Sequence, residues 1–233
     1  IIEGEKIVLE ALNSDCKLDM LVFSESYFHP LLKKAAEMGI RCIRVRENLF
    51  NQLSDTKSPQ GVLAVVHPKI HDLFKIIEHE TSFLLILDGI KDPGNLGTMV
   101  RTMDAAGGDG VILLNDCVDP YNPKAVRATM GSVLRVPVFK VDNTRKILDT
   151  ILQAGYHIVV SDLNGTDVFT YTAEYKRIAL VIGSESHGVS SEIRAKAHCL
   201  VKIPMVGRAE SLNASVAGGI LIYEFFRKRM KMG

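Results

Sequence analysis

The sequence predicts an α/β protein in which a small mixed module precedes a larger, mostly parallel sheet covered by helices on both faces. Three observations carry that expectation. Short apolar runs bounded by turn residues recur along the 233 residues, and amphipathic stretches separate most of them. The longest apolar runs, such as Phe83-Leu84-Leu85-Ile86-Leu87, have strand length, far below the roughly 20 residues of a membrane helix. A composition of 47% hydrophobic and 24% charged residues excludes disorder, collagen and low complexity, so a soluble folded protein is expected.

In chain order, Glu5 to Leu12 reads as a helix because Ile7, Val8, Ala11 and Leu12 share one face. Leu21-Val22-Phe23 is a short strand. Ser24 opens a polar turn toward a helix over Leu31 to Met38, which Gly39 ends. Arg41 to Val45 alternates polar and apolar residues as a half-buried strand does. Val62 to Val66 is a third strand, entered through the turn Ser58-Pro59-Gln60-Gly61. Residues 1–67 therefore form a first domain. Residues 68–82, with a short amphipathic helix over Leu73 to Ile77, read as a linker, and residues 83–233 as a second domain. Its strands are expected at Phe83–Leu87, Val111–Leu114, Val136–Val138, Ile158–Val160, Ile178–Ile182 and Leu200–Ile203. Its helices are expected at Leu96–Ala106, Lys124–Met130, Thr144–Ala154 and Leu212–Arg229. Ligands of such sheets gather beyond the carboxyl ends of the strands.

The net charge of +1 gives no whole-molecule field for a polyanion, a membrane or an acidic partner, although a local patch or an oligomer groove can supply one. Cys16, Cys42, Cys117 and Cys199 form no Cys-x-x-Cys pair, which favours four reduced, mostly buried thiols and a cytoplasmic protein over a disulfide scaffold or a zinc cage. No metal site is expected. The chain starts at Ile1 rather than methionine, which points to a preceding segment.

Three strand-end loops carry more Gly, Asn, Ser and charge than turn-making needs. The first runs from Asp88 through Asn95 and Gly97 to Arg101. Asn95 is expected to cap a helix whose buried stripe is Leu96, Met99, Val100 and Met103, with Arg101 on another face near exposed amides that favour an anion. A capped helix with a surface Arg101–Asp104 pair explains the same letters. The second loop is Gly183-Ser184-Glu185-Ser186-His187-Gly188. Glu185 occupies the nucleophile slot of a Gly-x-Ser-x-Gly elbow, which disfavours an α/β hydrolase. Its glycines allow close approach to a flat ligand, or simply form a turn with Ser190 as cap. The third loop, from Ile203 to Asn213, places Ser211 and Asn213 at the entry of an otherwise apolar helix. Gly218-Gly219 within that helix suits a close backbone crossing, between subunits or against the chain's own sheet. No Gly-x-Gly-x-x-Gly opens a helix after a strand and no Walker lysine appears, so a conventional Rossmann dinucleotide or methyltransferase site is disfavoured.

Together the loops resemble the SpoU/TrmH family of RNA ribose 2′-O-methyltransferases in the SPOUT superfamily. The family's Asn-x-Gly-x-x-x-Arg matches Asn95, Gly97 and Arg101. Its apolar strand followed by Gly-x-Glu and Gly matches Leu180 to Glu185 with Gly188, and its Ile-Pro-Met and Ser-Leu-Asn-x-Ser-x-Ala match Ile203–Met205 and Ser211–Ala217. The match covers roughly Phe83 to Arg229. The first domain, ending in Pro59-Gln60-Gly61-Val62-Leu63-Ala64, looks like the family's substrate-binding domain, which resembles kink-turn-binding ribosomal proteins.

The resemblance implies a SPOUT-type parallel sheet with a C-terminal trefoil knot, a cytoplasmic homodimer with composite sites, and S-adenosylmethionine held by backbone groups. Gly183, Ser184, Ile203, Met205, Gly207 and Leu212 are the implied cofactor residues; Asn95, Arg101, Glu185, Ser211 and Asn213 are the implied catalytic set. It implies methyl transfer to a ribose 2′-hydroxyl of structured RNA, with ribosomal RNA favoured by the added domain. The alternatives are transfer RNA as substrate or a non-catalytic RNA-binding or ribosome-assembly factor. Candidate RNA contacts are Lys33, Lys34, Arg41, Arg44 and Arg46, although residues up to Glu80 hold 10 Lys/Arg against 12 Asp/Glu and a solvated surface charge is the commoner explanation of each. The cluster Arg227-Lys228-Arg229-Met230-Lys231 reads as a cap on the last helix dipole rather than an RNA contact.

Overall fold

Two periodicities, two residues in strands and three to four in helices, sort the chain into two sheets with their helices. The computed structural model describes residues 1–172 and 175–230. The first sheet takes β1 (Ile2–Glu3), β2 (Lys17–Ser24), β3 (Arg41–Val45) and β4 (Val62–His67) in the order β1-β4-β2-β3. β4 runs antiparallel to β1 and β2, and β3 parallel to β2. Helices α1 (Glu5–Leu12) and α2 (Pro30–Glu37) bury Val8, Ala11, Leu12, Leu31 and Ala35 against Leu21, Val62 and Ala64. A helix the sequence reading lacks, α3 (Glu47–Leu53), packs Phe50 against Val22 and Leu63. Leu49, Phe50 and Leu53 carry its signal, but seven residues are too few for a periodicity to stand out.

Helix α4 (Leu73–Ile77) joins the two sheets, and Asp72 caps it by accepting the Phe74 N–H at 3.0 Å. Ile76 and Ile77 pack beneath the second sheet, so the connecting segment belongs to that sheet's core. The second sheet takes β5 (Ser82–Asp88), β6 (Gly110–Leu114), β7 (Val138–Lys140), β8 (His157–Asp167), β9 (Arg177–Gly183) and β10 (Cys199–Lys202). All are parallel, in the order β10-β8-β9-β5-β6-β7. Around them lie α5 (Pro93–Ala105), α6 (Pro123–Thr129), α7 (Thr144–Gln153), α8 (Ser191–Arg194) and α9 (Ala214–Arg229). Alternate strand residues feed two cores. Phe83, Leu85 and Leu87 pack with α5 and α9, while Leu84 and Ile86 pack with α4, α7 and α8. Val126 of α6 enters the first sheet's core beside Ile2, which joins the two sheets along a seam.

One strand is displaced from its expected place. Val136 follows the 3₁₀ turn Ser132–Leu134 and is tied back to it, its N–H donating to the Ser132 carbonyl at 2.9 Å, so pairing with β6 begins only at Val138 opposite Val111. β8 also continues past Val160. Its ladder with β10 jumps from Val160↔Leu200 to Thr166↔Val201, which leaves residues 161–165 looped out at the carboxyl end of the strand. Of the four free cysteines only Cys117 is buried; Cys16 and Cys199 are half-buried and Cys42 is exposed. Among the described residues no helix is long and apolar enough to cross a membrane, and no group of three His, Cys, Asp or Glu side chains is placed to hold a metal ion.

Candidate active site

The first loop leaves β5 at Asp88 and enters α5. Asp92 caps this helix in place of Asn95, its Oδ1 accepting the Asn95 N–H at 2.8 Å, and Pro93 opens the first turn, where its missing N–H is no loss. That hydrogen bond holds the Asp92 carboxyl below its ordinary range, and Lys124 Nζ, 3.3 Å away, acts in the same direction. Freed from capping, the buried Asn95 side chain bonds elsewhere: Nδ2 donates to Glu185 Oε1 at 2.6 Å, and Oδ1 accepts from Asn213 Nδ2 at 3.0 Å.

Gly97 of the same loop serves packing. A Cβ there would lie 2.6 Å from the Ala125 carbonyl oxygen and 2.6 Å from Ala128 Cβ, so α6 can cross α5 only over a glycine. Leu96, Met99, Val100 and Met103 are fully buried, as the stripe requires, and Arg101 is exposed. Six residues separate Arg101 from Asn95, about 9 Å along the axis and on a different face. Arg101 makes no hydrogen bond or ion pair among the described residues, and the surface pair expected with Asp104 is absent because Arg135 holds that carboxylate.

The second loop folds back on itself. The Gly188 N–H donates to the Ser184 carbonyl at 2.9 Å, and a Cβ on Gly183 would lie 2.1 Å from the Gly188 carbonyl carbon. Gly183 is thus required by the loop's own backbone rather than by a flat ligand. Ser190 occupies the N-cap position of α8, but its hydroxyl makes no capping bond and is buried without a partner. Glu185 gathers the site: besides Asn95, its Oε1 accepts from Asn213 Nδ2 and from the Ala214 N–H, each at 3.3 Å.

The third loop ends in the N-cap of α9. Asn213 Oδ1 accepts the Ser215 and Val216 N–H groups at 3.0 and 3.2 Å, while its Nδ2 serves Asn95 and Glu185. An amide offers an acceptor to the helix and two donors to the cluster at once, whereas Asp has no donor and Ser only one. Gly218 packs against Met99 and Ile182 within the chain, whereas Gly219 meets nothing within 4 Å.

Beyond the carboxyl ends of β8, β9 and β10 lies a cavity of about 370 Å³, within the usual range of about 300–1,000 Å³ for ligand pockets. Of the expected cofactor residues, Gly183, Ser184, Ile203, Met205 and Leu212 line it; Gly207 lies in an exposed turn outside. Glu185 and Ser211 line it too, and Asn95 and Asn213 stand behind Glu185. The sequence reading missed the wall formed by Ser161, Asp162, Leu163 and Asn164, together with Arg194 and Lys202. Asp162 is nearly buried and pairs with Arg194 at 2.6 Å. The turn letters Asp162-Leu163-Asn164-Gly165 directly after an apolar strand were the available signal.

The basic candidates of the first domain do not converge. Lys33 pairs with Glu37, Lys34 bonds Asn13, and Arg44 donates to the Glu25 carbonyl at 2.9 Å. Arg41 and Arg44 fall on opposite faces of β3, and Arg46 stands at the N-cap of α3. In the C-terminal cluster, Lys228 is buried against Glu224 and the Val168 carbonyl, Arg227 pairs with Glu224, and Arg229 lies over Phe83. Lys231 lies outside the described residues.

A cavity at parallel strand ends beside the Asn95–Glu185–Asn213 cluster, in a chain that also carries a small mixed sheet, is the setting in which the family matches place an RNA methyltransferase of α/β class. Residues 82–223 match the SpoU rRNA Methylase family, and residues 1–71 match the domain described as RNA 2′-O ribose methyltransferase substrate binding. The chain belongs to the SpoU rRNA methylase family, RNA 2′-O-methyltransferases that take their methyl group from S-adenosylmethionine. It is 33% identical over 223 aligned positions to the 23S rRNA (guanosine(2553)-2′-O)-methyltransferase RlmP of Bacillus subtilis, covering 96% of this chain and 86% of the relative. The AdoMet-bound rRNA methyltransferase of Sinorhizobium meliloti superposes with a TM-score of 0.87 at 34% identity, over 97% of this chain and 85% of that one. The AdoMet complex of AviRb from Streptomyces viridochromogenes does so with 0.85 at 28% identity, over 98% and 89%.

Proposed function

We propose that this chain methylates a ribose 2′-hydroxyl of ribosomal RNA, as a cytoplasmic homodimer. The observation that carries the reading is Glu185, one oxygen of which draws Asn95, Asn213 and the start of α9 together at the rim of a ligand-sized cavity. The cavity fits the donor. Ile182, Ile203, Leu212 and Ala217 offer apolar surface to an adenine, and Ser184, Asp162 and Arg194 offer polar partners to the charged end. Gly183, Ser184, Ile203, Met205 and Leu212 would hold it. S-adenosylmethionine, when bound, supplies an electrophilic methyl group on a sulfonium sulfur.

The protein's part is to hold the ribose oxygen in line and to stabilise the charge that grows there as its proton leaves. Asn95, Glu185 and Asn213 fix the rim, and Ser211 adds a hydroxyl at the cavity edge. A guanidinium stays protonated, so Arg101 is no base; it stabilises the developing alkoxide and clamps a phosphate, with phosphate or water receiving the proton.

Arg101 stands apart from the cluster in a single chain, so a second copy would complete the site. Val216, Ile220, Tyr223 and Met230 form an apolar stripe on α9, with Gly219 in open space beside it and Phe169 across a groove, which supports such a seat. Threading of the C-terminal part into a trefoil knot would run through residues 161–165, where Gly165 lies against the Leu200–Val201 backbone. Residues 1–67 would present the RNA and residues 83–233 perform the transfer, with residues 68–82 between them.

Protein incubated with methyl-labelled S-adenosylmethionine and unmodified total RNA should place label on ribosomal RNA ribose. Label on transfer RNA would move the substrate. Donor binding without label in any RNA would favour a non-catalytic RNA-binding or ribosome-assembly factor, and calorimetry showing no donor binding would overturn the assignment.

A further inference from the structure

Asp88 is the last residue of β5, its side chain almost wholly buried at 4% exposure. Its partners are hydrogen-bond donors: Oδ1 accepts from Asn115 Nδ2 at 2.6 Å, and Oδ2 accepts from the Ser190 N–H at 2.7 Å. Asn115 is held in turn from its far side, where its Oδ1 accepts the hydroxyl of Thr144, the first residue of α7, at 3.0 Å. Asn115 and Asp116 have φ of 49° and 56°, a left-handed pair that this side-chain network helps to hold.

The geometry at Asp88 bears on the cavity because both ends of one wall meet there. Gly183 is its ladder partner in β9, and Ser190 is its hydrogen-bond partner. Between them the loop supplies Ser184, Glu185, Ser186 and His187 to the cavity. The Ser190 hydroxyl has no partner, so its main-chain N–H is the polar tie from this end of the loop to the β5 strand end, beside the buried Val189. We infer that Asp88 is a positioning residue for the donor cavity, acting through the Ser190 N–H to fix the loop that carries Glu185. The inference rests on the reading of this cavity as the donor site.

The test measures donor affinity by calorimetry on the full chain, and KM against kcat with RNA. Ser190→Pro breaks the bond from its other side: φ of −58° at this position already suits proline, and the ring Cδ replaces the N–H that faces Asp88, whose carboxylate must turn away. Both Ser190→Pro and Asp88→Ala should weaken S-adenosylmethionine binding about tenfold, the scale of one lost hydrogen bond to a charged group. KM for the donor should rise in step, with kcat at saturating donor and KM for RNA within about twofold of wild type, because Glu185 keeps its own bonds to Asn95, Asn213 and Ala214. Asp88→Asn should recover most of the loss, because a flipped Asn115 amide can accept from it while the Thr144 hydroxyl accepts from Asn115. If Asp88→Ala does not fold, Ser190→Pro decides alone. Unchanged donor affinity in Ser190→Pro, or a loss confined to kcat, overturns the assignment. Wild type that binds no donor refutes the cavity reading itself, an outcome separate from both.

Discussion

Gly97→Ala adds a single methyl group at the crossing of α5 and α6. The new carbon would sit 2.6 Å from the Ala125 carbonyl oxygen, 2.6 Å from Ala128 Cβ and 3.1 Å from the Thr129 nitrogen. Nonbonded carbons prefer about 3.5–4.0 Å, so the α6 backbone must retreat by about 1 Å. Because backbone atoms are in the way, overpacking here takes the upper part of the usual range, about 2–3 kcal/mol, and alanine returns about 1 kcal/mol of helix propensity over glycine. The net loss is about 1–2 kcal/mol, which for a chain of this size lowers Tm by about 2–8 °C. Thermal unfolding followed by circular dichroism measures it. Gly97 does not line the cavity, so donor affinity measured by calorimetry should stay within about twofold. A variant that melts at or above wild type would refute the claim that this motif glycine exists for the helix crossing. A variant with normal stability and lost donor binding would reassign it to the ligand.

Arg101→Lys keeps the charge but loses the planar fork, so kcat should fall at least about tenfold with donor affinity unchanged; near-normal turnover would argue against clamping. Glu185→Ala orphans the buried Asn95 amide and loosens the α9 cap, which should cost about 1–2 kcal/mol in chemical denaturation and depress methyl transfer, and a fully active variant would remove Glu185 from the site. His157, stacked between Tyr175 and His198, is lowered to about 4 by burial and by the positive charge of His198. The unfolded chain therefore takes up the proton first, and stability is lost as pH falls from about 6.5 to about 4. A displacement of that size is worth about 3 kcal/mol for a dry group and about half that for one this open to solvent. His157→Gln should flatten this acid limb, and an unaltered limb would show that other groups produce it. RNA affinity should fall steeply between about 50 and 200 mM salt, and a flat response would count against phosphate contact.

The parts of this protein that are local in character were legible in its letters. Helix α1 and strand β3 run over the residues their periodicity indicates, and the all-parallel order of the large sheet follows from buried strands separated by helices. The three motif loops were legible as well, since Asn95, Glu185 and Asn213 do meet. What bonds to what was not. Asp92 took the cap expected of Asn95, because Pro93 starts the helix three residues earlier and only then is the amide free to reach Glu185.

Periodicity, turn chemistry and motif order are properties of neighbouring residues, so the chain alone determined its class, its two-sheet plan and the identity of its polar cluster. The cavity wall of residues 161–164 arises from a register jump between strands about 40 residues apart, and the Asp88 tether spans 102 residues. Such pairings depend on which strand ends stand side by side once the core has closed. Only the folded sheet decides that, and it decides as well that Arg101 faces away from the cluster of Asn95, Glu185 and Asn213.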